Sequence, residues 1–278
     1  MDMNLSRMYE TLKAQFTCMD GAAIAFSGGV DSTLLLWAAR DALGDAVIAV
    51  TAKAAVVPDR EYDEAVDFCA REGIRHYTYE FDVRDVYGLC DNSGQRCYFC
   101  KSHILKGLWK IARDNGISVL ADGTNADDGR DFRPGAKAVA EQGVISPLKE
   151  AGLSKNDIRA LSKSLGLPTW DKQSFACLAS RVPYGERITL DILNAVGLAE
   201  QYLLDMGLKQ LRVRYHRDLA RIETDEAGFA LLCERRAREN VYARFKEICF
   251  KYTAVDLLGY RTGSMNDGMQ DAVIEGAK

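Results

Sequence analysis

The segment Ser27-Gly28-Gly29-Val30-Asp31-Ser32 combines residue types that can bind a phosphate group. It follows the apolar run 22–26 and precedes the apolar helical pattern 34–39, which predicts a strand, a glycine turn and a helix N-terminus in succession. Two glycines allow close approach of a ligand, and a helix start offers unpaired N–H groups. Ser27 and Ser32 add hydroxyl donors, and Asp31 is a natural ligand for phosphate-bound Mg²⁺. No lysine follows the glycines, so this is not a Walker A loop.

Two further polar positions are predicted at the ends of strands. Thr51 ends the apolar run 46–51, and the segment Asp122-Gly123-Thr124-Asn125 follows the apolar run 117–121. Ligands of open parallel sheets bind at the carboxyl ends of the strands, so Ser32, Thr51 and Asp122 should line one crevice. Carboxylates and amides there suit a metal, a ribose or a phosphate, whereas an isolated turn of this kind would be an ordinary Asx turn.

The cysteines form the second group of residues that can do chemistry. Cys97 and Cys100 have a Cys-x-x-Cys spacing, which suits one metal or a redox disulfide. Cys177 lies in an aperiodic stretch, and three thiolates suit a cubane iron–sulfur cluster with one open iron. Together with His103, the same thiols suit a closed Cys₃His zinc site. The residues alone leave both metals open.

Basic side chains accompany these motifs. Period-two spacing places Arg212 and Arg214 on one face of a predicted strand, where they can bind a phosphate or carboxylates in bidentate fashion. The alternative is a solvated strand face. His216 and Glu223 nearby are further candidates. The other basic residues near the motifs are Lys101, Arg133, Lys172 and Arg181.

The first half of the chain alternates strand and helix patterns, which predicts an α/β fold with a Rossmann-like parallel sheet and helices on both faces. Later segments predict a small α+β domain, so we expect domains at 1–186 and 187–278. Ser154 should cap a helix, 169–187 should form an ordered loop, and the tail from Met265 should be mobile. The predicted strands are 22–26, 46–51, 76–81, 117–121, 211–216, 219–223 and 254–258, and the predicted helices are 59–72, 100–115, 191–206, 227–236 and 241–251.

Composition excludes several classes of protein. The chain has 278 residues, 47% hydrophobic and 27% charged, which is enough for the core of one or two domains. A net charge of -4 gives no general attraction to nucleic acid, and no apolar run approaches the roughly 20 residues of a membrane span. The first residues show no signal-peptide core. Eight cysteines then predict a reducing compartment, by default the cytoplasm.

Taken together, the motifs resemble those of the LarE family of ATP-dependent sulfur transferases, within the PP-loop ATP pyrophosphatase superfamily. The loop at Ser27–Ser32 looks like the S-G-G-x-D-S loop of that superfamily, whose members cleave ATP to AMP and pyrophosphate. The resemblance covers nearly the whole chain. Its segments are Ser27–Ser32, Arg96–Lys101, Asp122–Asp128, Arg133–Gly135, Ser146–Leu148, Trp170–Lys172, Ala176–Arg181 and Arg212–His216.

This resemblance implies a role in making the nickel-pincer nucleotide cofactor. ATP would adenylate a carboxylate of pyridinium-3,5-biscarboxylic acid mononucleotide, and sulfur would displace AMP to give a thiocarboxylate. Asp31, Arg181 and Cys177 would be catalytic, Arg212 and Arg214 would bind the anionic substrate, and the protein would form a homo-oligomer. The residues expected to bind ATP and Mg²⁺ are Ser27, Gly28, Gly29, Asp31, Ser32, Thr51, Asp122, Thr124 and Asn125.

The sulfur source differs between members of the family. Some sacrifice the sulfur of a cysteine at the position of Cys177 and are left with dehydroalanine. Others carry three cysteines, and the resemblance implies that Cys97, Cys100 and Cys177 hold a [4Fe–4S] cluster that presents an extra sulfide. We therefore expect the cluster-dependent route, with sacrifice of Cys177 as the alternative.

Two other classes of function compete with this interpretation. A different PP-loop enzyme is one; a tRNA thiolase should carry a basic RNA-binding surface, and a glutamine-dependent synthetase needs an ammonia-producing domain. The other is a zinc-stabilised nucleotide-binding module whose cysteines are structural. Release of pyrophosphate on addition of ATP and the dicarboxylate separates these possibilities.

Overall fold

The computed structural model shows a chain that folds into two compact units. The structure describes three stretches of chain, residues 3–130, 134–173 and 176–261. Unit 1 consists of Met1–Tyr87 and Gln95–Phe175, and unit 2 consists of Gly88–Gly94 and Ala176–Lys278. A short segment just before Cys97, Gly88–Gly94, therefore belongs to unit 2. The chain then returns to unit 1 and enters unit 2 again at Ala176, just before Cys177. The predicted domain boundary at 187 lies beyond this second crossing, whereas Arg133 and the tail from Met265 lie outside the described residues.

Unit 1 is built on a four-stranded parallel sheet in the order β3-β2-β1-β4, which confirms the predicted α/β class. The order reverses between β1 and β4, and this switch point is where open α/β sheets bind ligands. Its strands are β1 (Ala22–Ala25), β2 (Val47–Lys53), β3 (Arg75–Glu80) and β4 (Leu120–Ala121). Its helices are α1 (Met3–Ala14), α2 (Val30–Leu43), α3 (Asp59–Arg71), α4 (Arg96–Asp114), α5 (Pro134–Glu141), α6 (Pro147–Glu150) and α7 (Lys155–Ser164).

Alternate residues of the central strands point into two separate cores. Ala22 and Ile24 pack with α1, α2, α3 and α7, whereas Ala23 and Ile48 pack with α4 and α5. A strand that is buried on both faces must be apolar at every position, which is why β1 and β2 read as continuous apolar runs. The continuous apolar runs of β1 and β2 therefore explain why helices cover both faces of the sheet.

Helix starts in unit 1 were predicted with mixed success. Ser154 caps α7 in a reciprocal capping box with Asp157, as predicted. The prediction that α4 begins near Cys100 is wrong, because this helix begins at Arg96 and includes the Cys-x-x-Cys motif. Its N-cap residue, Gln95, makes no side-chain capping bond, so the sequence carries no capping signal there.

Unit 2 combines helices with a small sheet. Its three-stranded sheet has the order β5-β6-β7; β5 and β6 are antiparallel, and β7 runs parallel to β6. The last predicted helix, 241–251, in fact begins at Arg235. Among the described residues, no helix combines the length and apolar character needed to cross a membrane. The elements are α8 (Leu190–Asp205), β5 (Leu211–His216), β6 (Leu219–Thr224), α9 (Glu226–Cys233), α10 (Arg235–Ile248) and β7 (Tyr252–Val255).

The helix that carries the Cys-x-x-Cys motif is fixed to the sheet through a glycine. A Cβ atom on Gly107 would lie 2.2 Å from the ring of Tyr79 on β3. The Tyr79 hydroxyl and His103 Nε2, one helical turn earlier, are 2.9 Å apart. Both contacts require α4 to lie directly against β3.

We expect Gly107→Ala to lower the free energy of unfolding by about 1–3 kcal/mol, because the added methyl group overlaps the partly buried ring of Tyr79. Gly135→Ala in α5 is the matched control, since its nearest neighbour lies 3.7 Å from the added Cβ. Urea unfolding monitored by circular dichroism measures both values. Equal stability of the two variants would contradict the close packing of α4 on β3.

Candidate functional site

The glycine loop that joins β1 to α2 is held in shape by its own serines. The Ser27 N–H donates to Ser32 Oγ at 3.3 Å, and Ser32 Oγ donates to the Gly29 carbonyl at 3.2 Å. Gly28 has a φ of +66°, where glycine is favoured, and a Cβ there would lie 3.2 Å from Ala65. Gly29 is the N-cap of α2 and makes no side-chain cap, so the first N–H groups of the helix are available to a ligand.

Asp31, in the first turn of α2, is the residue at which three segments meet. Its carboxylate forms an ion pair with Lys155 at the start of α7 and accepts a hydrogen bond of 3.2 Å from Asn125 Nδ2. The turn after β4 is equally close to α2, because a Cβ on Gly123 would lie 3.1 Å from the Ser32 nitrogen. These contacts assemble a polar site at the switch point of the sheet.

Asp122 is buried at the end of β4, and hydrogen bonds compensate its burial. Oδ1 accepts from the Thr124 N–H at 3.2 Å and from Ser146 Oγ at 2.9 Å, and Oδ2 accepts from Thr124 Oγ1 at 2.9 Å. Lys101 Nζ lies 3.3 Å from Oδ2. These donors satisfy the oxygens of the carboxyl group away from water.

These segments surround a pocket of about 380 Å³, a size typical of small-molecule sites. The Thr51 hydroxyl on its wall lies 2.8 Å from Nε2 of His76, and burial lowers the pKa of that histidine. The polar lining includes Ser27, Asp31, Ser32, Thr51, Asp122 and Thr124, and the apolar lining includes Val50, Val57, Ile104 and Leu108. A pocket with both kinds of lining beside a helix N-terminus can hold a base and its phosphates.

The donor set at this pocket fits magnesium in a particular way. Asp31, Asp122 and Asp128 bring carboxylates to its lining. In the described part of the chain, no three His, Cys, Asp or Glu side chains meet closely enough to hold a metal ion. Mg²⁺ in nucleotide sites uses one or two carboxylates and takes its other ligands from phosphates and water. The residues therefore suit a metal that arrives with a nucleotide.

Cys97 and Cys100 lie in the first two turns of α4, where a spacing of three places them on one side of the helix. Cys97 is exposed, and the eight cysteines, all within the described residues, are thiols without disulfides. His103 packs against the ring of Phe81, and its Nε2 is engaged with the Tyr79 hydroxyl. That bond occupies only one of the two ring nitrogens of His103, so it is compatible with either metal site.

In unit 2, the exposed Cys177 immediately precedes a short 3₁₀ turn, Leu178–Arg181. Arg181 is fully buried and donates to the carbonyls of Ala176 and Cys177, at 2.6 and 3.1 Å. Its guanidinium also binds Glu200 of α8 through two bonds of 2.8 and 2.7 Å. Arg181 thus positions the backbone of Cys177, and Glu200 balances its charge.

Arg212 and Arg214 on β5 are buried in the same unit. Arg214 donates to the Ser180 carbonyl at 3.0 Å and to Glu223 at 2.7 Å. Burial, followed by the nearby charge of Arg181, lowers the pKa of Arg212. A guanidinium in such surroundings would be stabilised by a bound anion.

The structure thus groups the predicted residues by unit. Asp31 and the other predicted nucleotide residues lie in unit 1 with Cys97 and Cys100, whereas Cys177 and the three arginines lie in unit 2. Sequence reasoning missed Lys155 and Glu200. Lys155 follows a helix cap and reads as a surface residue, and only its distant partner Asp31 gives it a role. Glu200 lies on the same helical face as the buried Val196 and Leu203. A carboxylate on an otherwise apolar face indicates a buried charge that needs a partner, and this signal was missed.

Comparisons with known proteins place these observations in a family. No protein-family model matches the chain. A pyridinium-3,5-bisthiocarboxylic acid mononucleotide synthase of Lactiplantibacillus plantarum is 37% identical over 94% of this chain and 95% of its own. An uncharacterised protein of Synechocystis sp. is 39% identical over 94% of this chain and 98% of its own.

A more distant relative extends the likeness to nucleotide-using enzymes. One subunit of a glutamine-hydrolysing GMP synthase from Thermoplasma volcanium is 30% identical over 63% of this chain and 61% of its own. The parallel sheet, the glycine loop and the two nearly full-length relatives agree with the resemblance found in the motifs. The chain therefore belongs to the LarE family, that of pyridinium-3,5-bisthiocarboxylic acid mononucleotide synthase.

Proposed function

We propose that this protein is an ATP-dependent sulfur transferase acting on pyridinium-3,5-biscarboxylic acid mononucleotide, in the biosynthesis of the nickel-pincer nucleotide cofactor. The observation that carries the proposal is the 37% identity to the Lactiplantibacillus synthase over 95% of that protein. Clustered thiols suit the cytoplasm, and the family resemblance implies a homo-oligomer.

The first step is adenylation, because a carboxylate is a poor electrophile. A carboxylate oxygen of the substrate attacks the α-phosphorus of ATP, and pyrophosphate leaves with the electron pair of the broken P–O bond. The N–H groups at the start of α2 and the cation of Lys155 support the negative charge on the leaving pyrophosphate. Mg²⁺ beside Asp31 would supply further neutralisation of that charge.

The second step transfers sulfur to the activated carbon. A sulfur nucleophile adds to the acyl carbon, and AMP leaves with the electrons of the C–O bond, so that a thiocarboxylate forms. We propose that Cys97, Cys100 and Cys177 are the residues that would hold a [4Fe–4S] cluster, which would supply sulfide as the nucleophile. The exposed thiol of Cys177 and the shared face of Cys97 and Cys100 support this assignment.

The alternative sulfur source is Cys177 itself. Its thiol is exposed, and its backbone is fixed by Arg181 without help from another cysteine. Loss of the sulfur to the acyl carbon would leave dehydroalanine at this position and limit each chain to one turnover. This route needs neither Cys97 nor Cys100.

ATP and the dicarboxylate mononucleotide together should release pyrophosphate and AMP from the purified protein. Asp31→Asn removes the carboxylate that pairs with Lys155, and we expect release to slow by about 100-fold or more. A coupled pyrophosphate assay measures the rate. The control is Asp45→Asn, at a side chain that is 92% exposed, which should keep the wild-type rate. An unchanged rate in Asp31→Asn would contradict the proposed nucleotide site.

Arg212→Met should raise the KM for the anionic substrate by about tenfold or more and leave the Kd for ATP unchanged. The reason is that Arg212 belongs to unit 2, whereas the nucleotide pocket belongs to unit 1. Steady-state kinetics and calorimetric titration with ATP give the two values. Arg217→Met, at an 82% exposed side chain, is the matched control. A KM equal to that of the wild type would remove Arg212 from substrate binding.

Iron and acid-labile sulfide should each be present at about four per chain in protein purified without oxygen. Cys97→Ala should lose both, whereas Cys18→Ala, at an exposed cysteine outside the motif, should retain them. Elemental analysis and the visible absorption of the cluster report the result independently of activity. One zinc per chain would make the thiols structural, and protein without metal that gains a dehydroalanine at Cys177 after turnover would establish the sacrificial route.

A further inference from the structure

Lys172 joins the turn after α7 to the outer side of the glycine loop. Its ammonium group donates to the Gly28 carbonyl at 3.0 Å and lies 2.8 Å from a Glu61 oxygen and 2.7 Å from a Glu64 oxygen. Only 14% of the Lys172 side chain is exposed. A lysine held by three acceptors at one point is fixed in a single conformation, in contrast to an ordinary surface lysine.

The backbone that carries Lys172 is also fixed. Arg159 of α7 donates to the carbonyls of Trp170 and Lys172, both at 2.8 Å. The ammonium group of Lys163 lies 4.5 Å from the centre of the Trp170 ring. The Lys172 ammonium is therefore presented to the glycine loop from a rigid turn.

The carboxylates around Lys172 indicate that this lysine affects the nucleotide by positioning the glycine loop and not by binding a phosphate itself. Two carboxylates, Glu61 and Glu64, neutralise its single positive charge. Burial alone would raise the pKa of Glu64, but hydrogen bonds from Lys172 and Arg60 outweigh burial and lower it. An ammonium group already shared by two carboxylates and a carbonyl has little remaining capacity to bind a phosphate.

Peptide geometry connects this contact to the nucleotide. The Gly28 carbonyl and the Gly29 N–H belong to one planar trans peptide, so they point in opposite directions. Gly28 and Lys172 line a separate pocket of about 360 Å³, whereas Ser27, Asp31 and Ser32 line the nucleotide pocket. Holding the carbonyl on the outer side directs the N–H of Gly29 toward the inner side, where a phosphate would bind.

We propose that Lys172 is a positioning residue that sets the direction of the Gly28–Gly29 peptide, so that the Gly29 N–H faces the phosphates of the nucleotide. This inference rests on the proposed function for the identity of the ligand, ATP. The orientation of the peptide in the ligand-free protein does not depend on that function.

The test compares Lys172→Met with the wild type in two measurements. Relaxation dispersion of the Gly29 amide, followed by NMR of ¹⁵N-glycine-labelled protein without ligand, should appear in Lys172→Met and be absent from the wild type, because the peptide can now rotate. The Kd for ATP should rise by about tenfold or more, and the Kd for adenosine, which lacks phosphates, should stay within about twofold.

Lys163→Met is the matched control, since it removes a lysine that contacts the same turn without touching the loop. Its Gly29 relaxation dispersion and its Kd for ATP should equal those of the wild type. Lys172→Arg keeps a cationic donor for the carbonyl and both glutamates and should show no dispersion at Gly29. If Lys172→Met does not fold, Lys172→Gln replaces it, with the same direction of change and an effect of about threefold or more.

Two results would overturn the inference. One is relaxation dispersion of the Gly29 amide in Lys172→Met that equals the wild type, which would mean that the peptide keeps its orientation without Lys172. The other is an equal loss of affinity for ATP and adenosine, which would indicate a general collapse of the pocket. A wild-type protein that binds no ATP would refute the proposed function and leave the relaxation measurement to decide the role of Lys172.

Discussion

The structure of unit 1 depends on the hydrogen-bonding requirements at the start of α2. This helix must begin directly at the end of β1, with its first N–H groups unpaired and facing an open pocket. Two neighbouring segments pack closely against this helix start. Gly28 lies against Ala65 of α3, and Gly123 in the turn after β4 lies against the Ser32 nitrogen. A side chain at either glycine would push α3 or the β4 turn away from the loop. The position of the carboxylate of Asp31 and the shape of the pocket both follow from this packing.

A second constraint governs unit 2, where arginines are buried beside Cys177. Burying a guanidinium is costly unless its charge is paired, and Glu200 and Glu223 form ion pairs with Arg181 and Arg214. Glu200 also accepts the Val213 N–H at 2.8 Å, so one carboxylate links α8, β5 and the turn after Cys177. The hydrogen bonds of Arg181 also fix the backbone at Cys177, whose thiol is exposed.

The elements with local signals could be predicted from the sequence. Continuous apolar runs identified the central strands of unit 1, and Ser154 with Asp157 identified the start of α7. The start of α4 and the short strand β4 were misjudged, because Gln95 gives no capping signal and β4 pairs over only two residues. The roles of Lys155 and Glu200 could not be predicted, since each is defined by a partner far away in the chain. A motif that lies within one segment can be recognised from the sequence. An ion pair between segments that are distant in the chain can be recognised only in the folded structure.

The contact between Arg181 and Cys177 bears on both routes of sulfur delivery. A fixed backbone with an exposed thiol suits a cluster ligand, because the thiolates of a cubane must be held at defined positions. In the sacrificial route, the same guanidinium, 3.1 Å from the Cys177 carbonyl oxygen, would draw electron density from that carbonyl and make the Cα proton more acidic. Loss of that proton would accompany the elimination that leaves dehydroalanine. The backbone geometry around Cys177 is therefore compatible with either proposed route, and binding of iron by Cys97, Cys100 and Cys177 would separate them.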